Sequence, residues 1–405
     1  MRSVHSPLLL LNRPFVGFLC ARAATFMAFQ MLGVAVGWQI YALTGSAMYL
    51  GLVGLAQFMP MFLLTIVVGH VADRYDRRLV TRACQTVEGL AVGFLALASF
   101  GGWQSEGGIL VIIFIVGAAR AFEGPTMQAL LPALVPLQLI PRATAWSASA
   151  TQTATIIGPA LGGFLYAFGP TTVYAIAGIL FLVASEFVAL IRIERMPLKH
   201  EPITIRSLFA GISFIRSRRE ILGAISLDLF AVLLGGATAL LPIYARDILV
   251  TGPWGLGLLR SAPAVGALMM SVVLARCPLE RRVGRTMFIA VTVFGMATIV
   301  FALSTSFILS IVSLAALGAS DVISVVIRQS LVQIRTPDDM RGRVSAVNSM
   351  FIGTSNQLGE FESGITAAIF GVVPAVLIGG IGTTIVVILW LRFFPQLAQI
   401  DSLNM

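Results

Sequence analysis

The residues best suited to do chemistry in this sequence are charged side chains within long apolar stretches. Arg120 and Glu123 are three residues apart, and Asp321 and Arg328 are seven apart, so each pair falls on one face of a helix. A carboxylate in an apolar cavity can bind a proton near neutral pH, because burial disfavours its charged form. These residues therefore indicate either proton binding that changes during a functional cycle or static ion pairs that satisfy buried charges.

Three further carboxylates lie in apolar stretches of the second half: Asp228, Glu360 and Glu362. Glu360 and Glu362 are two residues apart, so on a helix they point in different directions and need different partners. We include all three among the candidates for proton coupling or for lining a substrate cavity. Other charged residues in apolar stretches are interpreted as mainly structural or close to a membrane interface: Arg22, Glu88, Glu186 and Arg260.

The sequence contains no signature of an enzyme, a nucleotide site or a metal centre. A phosphate-binding P-loop needs a Gly-Lys pair, and the only lysine, Lys199, follows Leu198. The three cysteines are far apart and form no Cys-x-x-Cys pair, which argues against a disulfide framework or a metal site. The cysteines and histidines are Cys20, Cys84, Cys277, His5, His70 and His200. We predict a protein that is not an enzyme and holds no cofactor and no metal.

The composition is that of a membrane protein that crosses the bilayer many times. Of the 405 residues, 58% are hydrophobic and only 11% are charged, and the mean hydropathy is +0.93. Soluble domains carry roughly 25% charged residues, and no soluble fold of this size has an interior for so much apolar surface. The net charge of +9 does not indicate a nucleic-acid partner, because the arginines fall in short loops between apolar runs. The predicted surroundings are the lipid bilayer.

Stretches of about 20 apolar residues, the length that crosses a bilayer, occur twelve times. The predicted spans are 14–43, 48–71, 79–100, 107–131, 143–168, 171–191, 221–245, 253–275, 284–303, 307–333, 344–370 and 372–393. Arginines such as Arg74, Arg77 and Arg78 are concentrated in alternate connections, while the connections between them are nearly free of charge. By the positive-inside rule, both termini face the cytoplasm.

The longest break between spans separates the sixth from the seventh. Its apolar residues fall on one face of a helix: Leu208, Phe209, Ile212 and Ile215. This pattern predicts an amphipathic helix on the cytoplasmic surface. We therefore predict an all-α membrane protein with twelve transmembrane helices in two pseudo-symmetric six-helix bundles, formed by residues 1–192 and 221–405 and joined by a cytoplasmic linker, 193–220.

The two sets of six spans are internal repeats. A shift of 201 residues superposes identical residues: Gly117 and Gly318, Gln128 and Gln329, Pro136 and Pro337, Arg142 and Arg343, Gly158 and Gly359, Gly163 and Gly364. A shift of 203 does the same for Tyr41 and Tyr244, Ala42 and Ala245, Gly54 and Gly257, and Pro60 and Pro263. Repeated halves with a site near the midplane are typical of secondary transporters. The first shift also places Asp321 at the position of Arg120.

A charged hairpin, Gly69 to Arg78, separates the second and third spans. It resembles the Gly-x-x-x-Asp-Arg-x-Gly-Arg-Arg loop of the major facilitator superfamily, with Asp76 in place of the second glycine. In that family the loop latches the two halves on the cytoplasmic side and releases during transport. The resemblance implies that Asp73 faces the start of the eleventh span, where a helix N-terminus favours an anion; the alternative is a plain positive-inside anchor. The implied gate residues are Gly69, Asp73, Arg74, Arg77, Arg78 and Arg343.

The fifth span contains the run Gly-Pro-Ala-Leu-Gly-Gly, which begins at Gly158. It resembles the Gly-Pro-x-x-Gly-Gly signature of proton-coupled exporters in the same superfamily, although a further glycine of the family pattern is Ala154 here. Because small residues permit close helix packing in general, the alternative is packing without a transport role. The motif residues are Gly158, Pro159, Gly162 and Gly163.

Over nearly the whole chain, the sequence resembles the major facilitator superfamily. The segments Thr336 to Ala346, Glu360 to Gly364 and Asp228 to Pro242 resemble the group that contains enterobactin exporters and macrolide efflux proteins, and Arg120 matches a helix 4 arginine that the family associates with proton coupling. The resemblance implies a monomeric transporter of the bacterial inner membrane. It would export a small amphipathic molecule, siderophore or drug-like, in exchange for protons by alternating access.

The repeat adds a hypothesis of its own. Arg120 and Asp321 occupy equivalent positions, so we infer a charge pair, direct or through substrate, that forms or breaks as the halves move. The alternatives for function are an importer or uniporter of a small metabolite on the same fold, and a membrane scaffold or sensor without transport. The last of these explains neither the repeated halves nor the buried charges.

Overall fold

A computed structural model of the chain describes residues 9, 11–191, 205–277, 279 and 281–402. Within this part, only the backbone is described at residues 65, 66, 69, 70, 72, 73, 205–209, 338, 339, 341 and 346. The described residues form helices joined by short connections, and they contain no strand.

A long helix lies over each predicted span, and we label these helices α1 to α12. Their bounds are Arg13–Thr44, Ala47–Arg74, Arg77–Phe100, Glu106–Leu134, Ile140–Leu165, Pro170–Ala189, Arg219–Leu234, Gly252–Arg276, Val283–Leu303, Phe307–Arg335, Asp338–Phe370 and Val372–Phe393. A shorter linker helix, Ile205–Ser217, precedes α7, and a short helix, Pro395–Ala398, follows α12. Single 3₁₀ turns occupy Leu137–Leu139 and Tyr166–Phe168.

The seventh predicted span is not one continuous helix. α7 ends at Leu234, and short 3₁₀, α-helical and π-helical turns follow from Ala237 to Ile248. Two glycines stand at the break, Gly235 and Gly236. A Cβ at Gly236 would overlap the carbonyl oxygen of Gly359 on α11. The pattern of apolar residues could not reveal this break, because glycines and apolar residues alike fit a hydrophobic stretch.

α11 begins at Asp338, ahead of the predicted start of the eleventh span at residue 344. Pro337 occupies the N-cap position with φ −56° and ψ 150°. Proline fixes φ at a value suited to helix entry, and two acidic residues follow it in the first turn, where the helix dipole favours negative charge. The sequence-based boundary was late because these charged residues do not look like part of a membrane span.

Ten of the helical segments are long and apolar enough to cross a membrane, counted over the described residues. The chain is therefore a multi-pass membrane protein. α5 and α11 are absent from this set because hydroxyl, amide and charged side chains interrupt their apolar residues. These two helices are equivalent under the 201-residue repeat, so reduced hydropathy is a property that the two halves share. Twelve transmembrane crossings in two bundles stay a prediction.

The chain divides into two compact units. Unit 1 comprises Met1–Leu43 and Ala56–Pro202, and unit 2 comprises Thr44–Leu55 and Ile203–Met405. The first turns of α2 thus belong to unit 2, whereas the rest of that helix belongs to unit 1. The predicted domain boundaries at 192 and 220 stay predictions, and residues 192–204 lie outside the described part of the chain.

The linker helix packs its described apolar residues within unit 2. Ile215 is buried in a cluster with Val344 and Val347 of α11, and Ile212 packs against the same cluster. A Cβ at Gly211 would lie 2.9 Å from a backbone carbonyl oxygen of α11. The side chains of Leu208 and Phe209, which belong to the predicted apolar face, lie outside the described residues. At least part of that face therefore contacts protein.

Matched close contacts within each unit agree with the internal repeat. In unit 1, a Cβ at Gly117 of α4 would lie 3.1 Å from Cγ of Pro60 on α2. In unit 2, a Cβ at Gly318 of α10 would overlap the backbone of Pro263 on α8. The glycines are related by the shift of 201 and the prolines by the shift of 203. The repeat thus preserves a close contact between equivalent pairs of helices.

Candidate functional site

Unit 1 contains a group of buried and half-buried polar side chains that we call the α4 cluster: Arg22, Gln85, Glu88, Arg120 and Glu123. Its centre is Gln85 of α3, whose side-chain amide donates hydrogen bonds to Glu123 Oε1 at 2.9 Å and to Thr25 Oγ1 at 3.0 Å. Gln85 is fully buried and Glu123 is 5% exposed. An amide from one helix therefore holds the carboxylate of another in an apolar interior, where an unpartnered polar group is costly.

Arg120 lies on an aromatic surface formed by α1. Its guanidinium carbon is 3.7 Å from the ring centre of Phe29 and 5.5 Å from that of Phe26. Such cation–π contacts contribute about 2 kcal/mol or more when they are shielded from water. The Nη1 atom of Arg120 is buried and has no hydrogen-bond partner among the described residues. Although Arg120 and Glu123 share a face of α4, the donor to Glu123 is Gln85.

Arg22 of α1 is the second cation of the α4 cluster. Its Nε donates a hydrogen bond of 3.0 Å to Thr151 Oγ1 of α5, and its guanidinium carbon lies 5.3 Å from the ring centre of Phe26. The charge of Arg22 interacts with those of Glu123 and Arg120. The interpretation of Arg22 as mainly structural or close to a membrane interface stays a prediction, and the structure places it beside the candidate residues.

A cavity of about 50 Å³ opens next to the α4 cluster. It is lined by Arg22, Thr25, Phe26, Arg120, Glu123, Gly124, Met127 and Gln128. A space of this size accommodates a few water molecules. The cavity has two cations and one carboxylate on its wall, so it can hold polar groups or exchange a proton with Glu123.

Unit 2 contains a second group, the α10 cluster: Asp228, Asp321, Ser324, Arg328 and Asn348. Arg328, only 2% exposed, forms an ion pair with Asp228 of α7 at 3.3 Å and donates a hydrogen bond of 3.0 Å to Asn348 Oδ1 of α11. Ser324 donates to the other oxygen of Asp228 at 3.2 Å. Arg328 and Asp321 share a face of α10, yet the ion-pair partner of Arg328 is Asp228.

Asp321 lies beside this ion pair. Its charge interacts with those of Asp228 and Arg328. A cavity of about 10 Å³, large enough for about one water molecule, separates parts of α7, α9 and α10 here. Its lining consists of Asp228, Ala231, Val232, Val291, Phe294, Ser320, Asp321 and Ser324. The predicted charge pair between Arg120 and Asp321 links residues of different units and stays a prediction.

The two glutamates of α11 have different surroundings, both within unit 2. Glu360 interacts electrostatically with Arg260 of α8. Its carboxylate also lies so near α2 that a Cβ at Gly54 would be 3.0 Å from Oε2. Glu362 accepts a hydrogen bond of 2.8 Å from Thr366 of its own helix. Glu360 is therefore the one of the two that faces a charge of opposite sign.

In the charged hairpin, two arginines contact backbone carbonyl groups of unit 1. Arg77 donates to the carbonyl oxygen of Ala129 at 3.1 Å, and Arg78 donates to that of Ile191 at 2.6 Å, just beyond α6. Asp76 is the N-cap of α3 and accepts a hydrogen bond of 2.9 Å from the backbone N–H of Arg78. The N-cap role explains why aspartate can replace the glycine of the superfamily pattern, because both residues occur at N-caps.

The remaining gate residues carry less structural information. Arg74 is exposed at the end of α2, and Arg343 of α11 donates to Sδ of Met340 at 3.6 Å. For Gly69 and Asp73 only the backbone is described. The latch between Asp73 and the start of α11 therefore stays a prediction.

The glycine motif of α5 makes a close contact with α1. All four of its residues are buried: Gly158, Pro159, Gly162 and Gly163. A Cβ at Gly158 would lie 2.7 Å from Cβ of Gln30, and one at Gly162 would lie 2.9 Å from Cα of Met31. At the repeat position in unit 2, a Cβ at Gly359 would lie 2.9 Å from a carbonyl oxygen of α7. The shared contact supports a packing role for the motif.

Sequence reasoning missed the uncharged members of both clusters. Gln85, Ser324 and Asn348 hydrogen-bond to the charged candidates, and Glu88 is buried beside them although we had interpreted it as mainly structural. An amide inside an apolar stretch is itself a signal, because a buried amide requires a partner. That signal does not say which helix supplies the partner.

The amino-acid sequence matches the family described as transmembrane secretion effector over residues 10–405. The enterobactin exporter EntS of Citrobacter koseri is 27% identical over 388 residues, which are 94% of this chain and 91% of the relative. The multidrug efflux pump Tap of Mycobacterium tuberculosis is 28% identical over 361 residues, 84% of each chain. Macrolide efflux protein A of Streptococcus pyogenes is 23% identical over 376 residues, 89% of this chain and 90% of the relative.

Solved structures of transporters share the fold. A bacterial homologue of the human lysosomal transporter Spinster, in an inward-facing and unoccupied conformation, superposes with a TM-score of 0.75 at 13% identity, covering 98% of both chains. The nucleoside transporter NupG superposes with a TM-score of 0.67 at 14% identity, covering 94% of this chain and 99% of its own. At such identities the likeness establishes the fold alone.

Proposed function

This chain belongs to the transmembrane secretion effector family of the major facilitator superfamily, and from that premise we propose that it exports a small amphipathic molecule in exchange for protons. Its relatives and structural neighbours are transporters and not enzymes. The chain is accordingly a membrane-embedded transporter of a small molecule. The proposal adds the direction of transport, the coupling ion and the class of substrate.

The observation that carries the proposal is half-buried charge at equivalent positions of the two halves. Arg120 of α4 and Asp321 of α10 are related by the 201-residue repeat, and each lies in a cluster that borders a cavity. A charge inside a membrane helix costs about 2.5–3.5 kcal/mol on insertion scales. A membrane scaffold gains nothing from that cost, whereas a transporter needs groups that bind protons or substrate near the midplane.

We assign proton binding to carboxylates and substrate contact to the cavity wall. Glu123 borders the larger cavity, Asp228 and Asp321 border the smaller one, and Glu360 faces Arg260. Arg120 supplies the opposite charge in unit 1. Rocking of two six-helix bundles about these residues would expose them to each side of the membrane in turn.

The substrate class and the direction rest on the relatives. The named relatives export enterobactin or remove macrolides and other drugs. Arg120 against Phe26 and Phe29 offers both charge and aromatic surface, which suits a molecule with polar and apolar parts. We therefore propose a siderophore or a drug-like compound as substrate.

The orientation follows from the distribution of arginines. We propose that both termini lie in the cytoplasm of a bacterial cell, with the protein in the inner membrane. Loops with Arg74, Arg77 and Arg78 on one side and nearly uncharged loops on the other support this orientation. The charged hairpin then forms the cytoplasmic gate together with the start of α11, near Arg343. We propose that a single copy of the chain is the transporting unit.

The test is transport by purified protein in lipid vesicles that contain a pH-sensitive dye. We would impose a pH gradient and add catecholate siderophores, macrolides and other amphipathic drugs one at a time. A proton-coupled exporter moves protons only in the presence of a transported compound and accumulates that compound against its gradient. An ionophore that collapses the pH gradient should abolish accumulation.

Three results would contradict parts of the proposal. Accumulation that survives collapse of the pH gradient would remove proton coupling, and protons moving in the same direction as the compound would indicate an importer. Full activity of Arg120→Ala would remove that residue from the mechanism. The matched control is Arg82→Ala, because Arg82 pairs with Glu186 at the exposed surface of the same unit at 3.3 Å.

A further inference from the structure

Glu88 of α3 is a carboxyl side chain in unit 1 that makes no hydrogen bond with the part of the chain that the structure describes. The residue is 0% exposed, and neither carboxylate oxygen has a hydrogen-bond partner among the described residues. An ionised carboxylate in an apolar interior is stable only when it is paired and hydrogen-bonded. The neutral, protonated acid avoids most of that cost. We propose that Glu88 holds a proton in unit 1 and that Arg120 becomes its partner when the proton leaves.

Two other buried atoms near Glu88 also lack partners. Gln85 lies one turn earlier on α3, and its amide nitrogen is used by Glu123 and Thr25 while its Oε1 atom has no partner. Arg120 has an unpartnered Nη1 atom while its guanidinium lies on Phe29. Most buried polar groups in proteins are satisfied. A group of unsatisfied atoms around one carboxyl therefore indicates a network that is complete only in a second arrangement.

The charged and titratable groups around Glu88 come from few elements. On α4 they are Arg120 and Glu123, whose charges act on Glu88, and on α3 the nearest is Cys84. The helix α6 contributes an apolar surface to the neighbouring residue, because a Cβ at Gly89 would lie 2.7 Å from the side chain of Leu182. From α1, Arg22 reaches the cluster through its interaction with Glu123. Arg120 is thus the cation available to an ionised Glu88.

The proposed step conserves protons and charge. The O–H bond of Glu88 breaks, and the proton binds to a carboxylate oxygen of Glu123, so one acid becomes ionised as the other becomes neutral. Glu123 borders the cavity and can pass the proton on to water, whereas Glu88 does not line that cavity. The new negative charge on Glu88 attracts Nη1 of Arg120 away from Phe29. A proton on Glu88 therefore determines whether Arg120 lies against the aromatic rings or against α3.

This inference deepens the proposed function, on whose proton coupling it rests, and its test does not require a transported compound. The full-length protein in lipid vesicles would be studied by infrared difference spectroscopy while the pH is changed. We expect the wild type to show a protonated carboxyl in an apolar environment above neutral pH and Glu88→Gln to lose the signal of one such group. Glu186→Gln is the matched control, because its side chain is 69% exposed and its removal should leave the signal unchanged.

A second variant tests the role of Arg120. In Arg120→Gln the ionised form of Glu88 loses its partner and becomes less stable. We therefore expect the carboxyl to be half-ionised only at a proton concentration at least tenfold lower than in the wild type. If Glu88→Gln fails to fold, Glu88→Asp should keep the signal at a shifted frequency, and Arg120→Gln still reports on the pairing. Identical spectra of wild type and Glu88→Gln, or an unchanged titration in Arg120→Gln, would overturn the inference. Absence of transport with these spectra intact would instead contradict the proposed function.

Discussion

The α4 and α10 clusters occupy equivalent places in the two halves and differ in how completely their polar groups are paired. In the α10 cluster, Arg328 is held by a carboxylate and an amide, and Asp228 has a hydroxyl donor as well, although Nε of Arg328 has no partner among the described residues. In the α4 cluster, Glu88 and one nitrogen of Arg120 have no partner among the described residues. The cavity beside the α4 cluster is also larger, about 50 Å³ against about 10 Å³.

This difference shows that the repeat preserves positions but not side-chain chemistry. Under the shift of 201, Arg120 corresponds to Asp321, Glu123 to Ser324, and Met127 to Arg328. Only unit 2 therefore has an arginine at the third position, and that arginine pairs with the carboxylate of its cluster. We call a cluster with such a pair closed and one without it open. The closed α10 cluster is suited to hold helices in place, whereas the polar groups of the open α4 cluster can change partners at a small cost in free energy. The free energy of unfolding of variants in each cluster tests this contrast.

The largest effect is expected in the closed network. Removal of one partner from a buried ion pair leaves the other charge uncompensated and destabilises a protein by about 3–5 kcal/mol. We therefore expect Arg328→Met to lower the free energy of unfolding by that amount, since Asp228 would keep only Ser324 as a donor. The measurement is equilibrium unfolding in mixed detergent micelles.

The control for this change lies two turns further along α10. Arg335 pairs with Glu220 at 3.4 Å, and both side chains are partly exposed, at 40% and 35%. Exposed pairs contribute about 0–1 kcal/mol, so Arg335→Met should be nearly neutral. Equal losses for the two substitutions would show that the α10 cluster is not a closed, stabilising network.

The second prediction compares helix packing in the two units. A Cβ at Gly318 would overlap the carbonyl oxygen of Pro263, whereas a Cβ at Gly117 would lie 2.8 Å from that of Gln57. Overpacking typically costs about 1–3 kcal/mol, and a clash with backbone is the harder to relieve. We expect Gly318→Ala to reach the upper end of that range and Gly117→Ala to cost less, measured by the same unfolding assay.

A glycine without close neighbours provides the control. A Cβ at Gly93 of α3 would meet nothing within 4 Å, so Gly93→Ala should be neutral or slightly stabilising, because alanine favours a helix more than glycine does. If Gly117→Ala were the more costly of the two packing variants, unit 2 would not be the more tightly packed half at this contact.

The sequence predicted the helices well because membrane helices are set mainly by length and hydrophobicity. It failed at α7, where Gly235 and Gly236 allow close packing that depends on another helix. It also failed at the start of α11, where Pro337 and its acidic neighbours extend the helix beyond the apolar run. Helix ends thus depend on local backbone chemistry that hydropathy does not report.

For the candidate site, the sequence identified charges but not their partners. The spacing places Arg328 and Asp321 on one face of their helix, and it does not indicate that the ion-pair partner of Arg328 is Asp228 on another helix. The sequence predicts that Glu88 is mainly structural or close to a membrane interface, and it does not indicate that Arg120 and Glu123 of α4 lie near it. Spacing along a helix defines which residues share a face, whereas pairing depends on how three helices come together.

The third prediction asks how far each carboxylate depends on a single donor. In unit 1, Gln85 donates a hydrogen bond to Glu123. In unit 2, Asp228 accepts a hydrogen bond from Ser324 and also forms an ion pair with Arg328. Loss of a donor that leaves a buried acceptor unsatisfied costs about 1–3 kcal/mol. We expect Gln85→Met to cost about 2 kcal/mol and Ser324→Ala to cost about 1 kcal/mol or less.

Each substitution also has a conservative counterpart that separates hydrogen bonding from packing. Gln85→Glu keeps the size of the side chain but removes the amide donor, and Ser324→Thr keeps the hydroxyl. Gln85→Glu should therefore destabilise at least as much as Gln85→Met, while Ser324→Thr should be better tolerated than the alanine variant. A larger loss for Ser324→Ala than for Gln85→Met would reverse the assignment of the open and the closed cluster.

The smallest effect is expected where the two halves cap equivalent helices in different ways. Asp76 caps α3 from within its own hairpin, whereas the first N–H groups of α9 are met by a distant segment: Arg282 N–H donates to Asp401 Oδ1 at 3.2 Å, and Gly284 N–H donates to the carbonyl oxygen of Ile400 at 3.0 Å. An N-cap aspartate contributes about 1 kcal/mol relative to alanine and a few tenths relative to glycine.

We therefore expect Asp76→Ala to cost about 1 kcal/mol and Asp76→Gly only a few tenths, with Asp76→Asn close to wild type because an amide oxygen can accept the same hydrogen bond. For α9, Asp401→Ala should have the smaller effect, since Ile400 and the backbone carbonyl of Asp401 itself still accept from the helix start. Unfolding measurements on these variants also bear on the superfamily pattern. Equal losses for Asp76→Gly and Asp76→Ala would mean that the aspartate acts through its charge, since its carboxylate lies 3.7 Å from the guanidinium of Arg78. Capping would then not explain why this hairpin has aspartate where the superfamily has glycine.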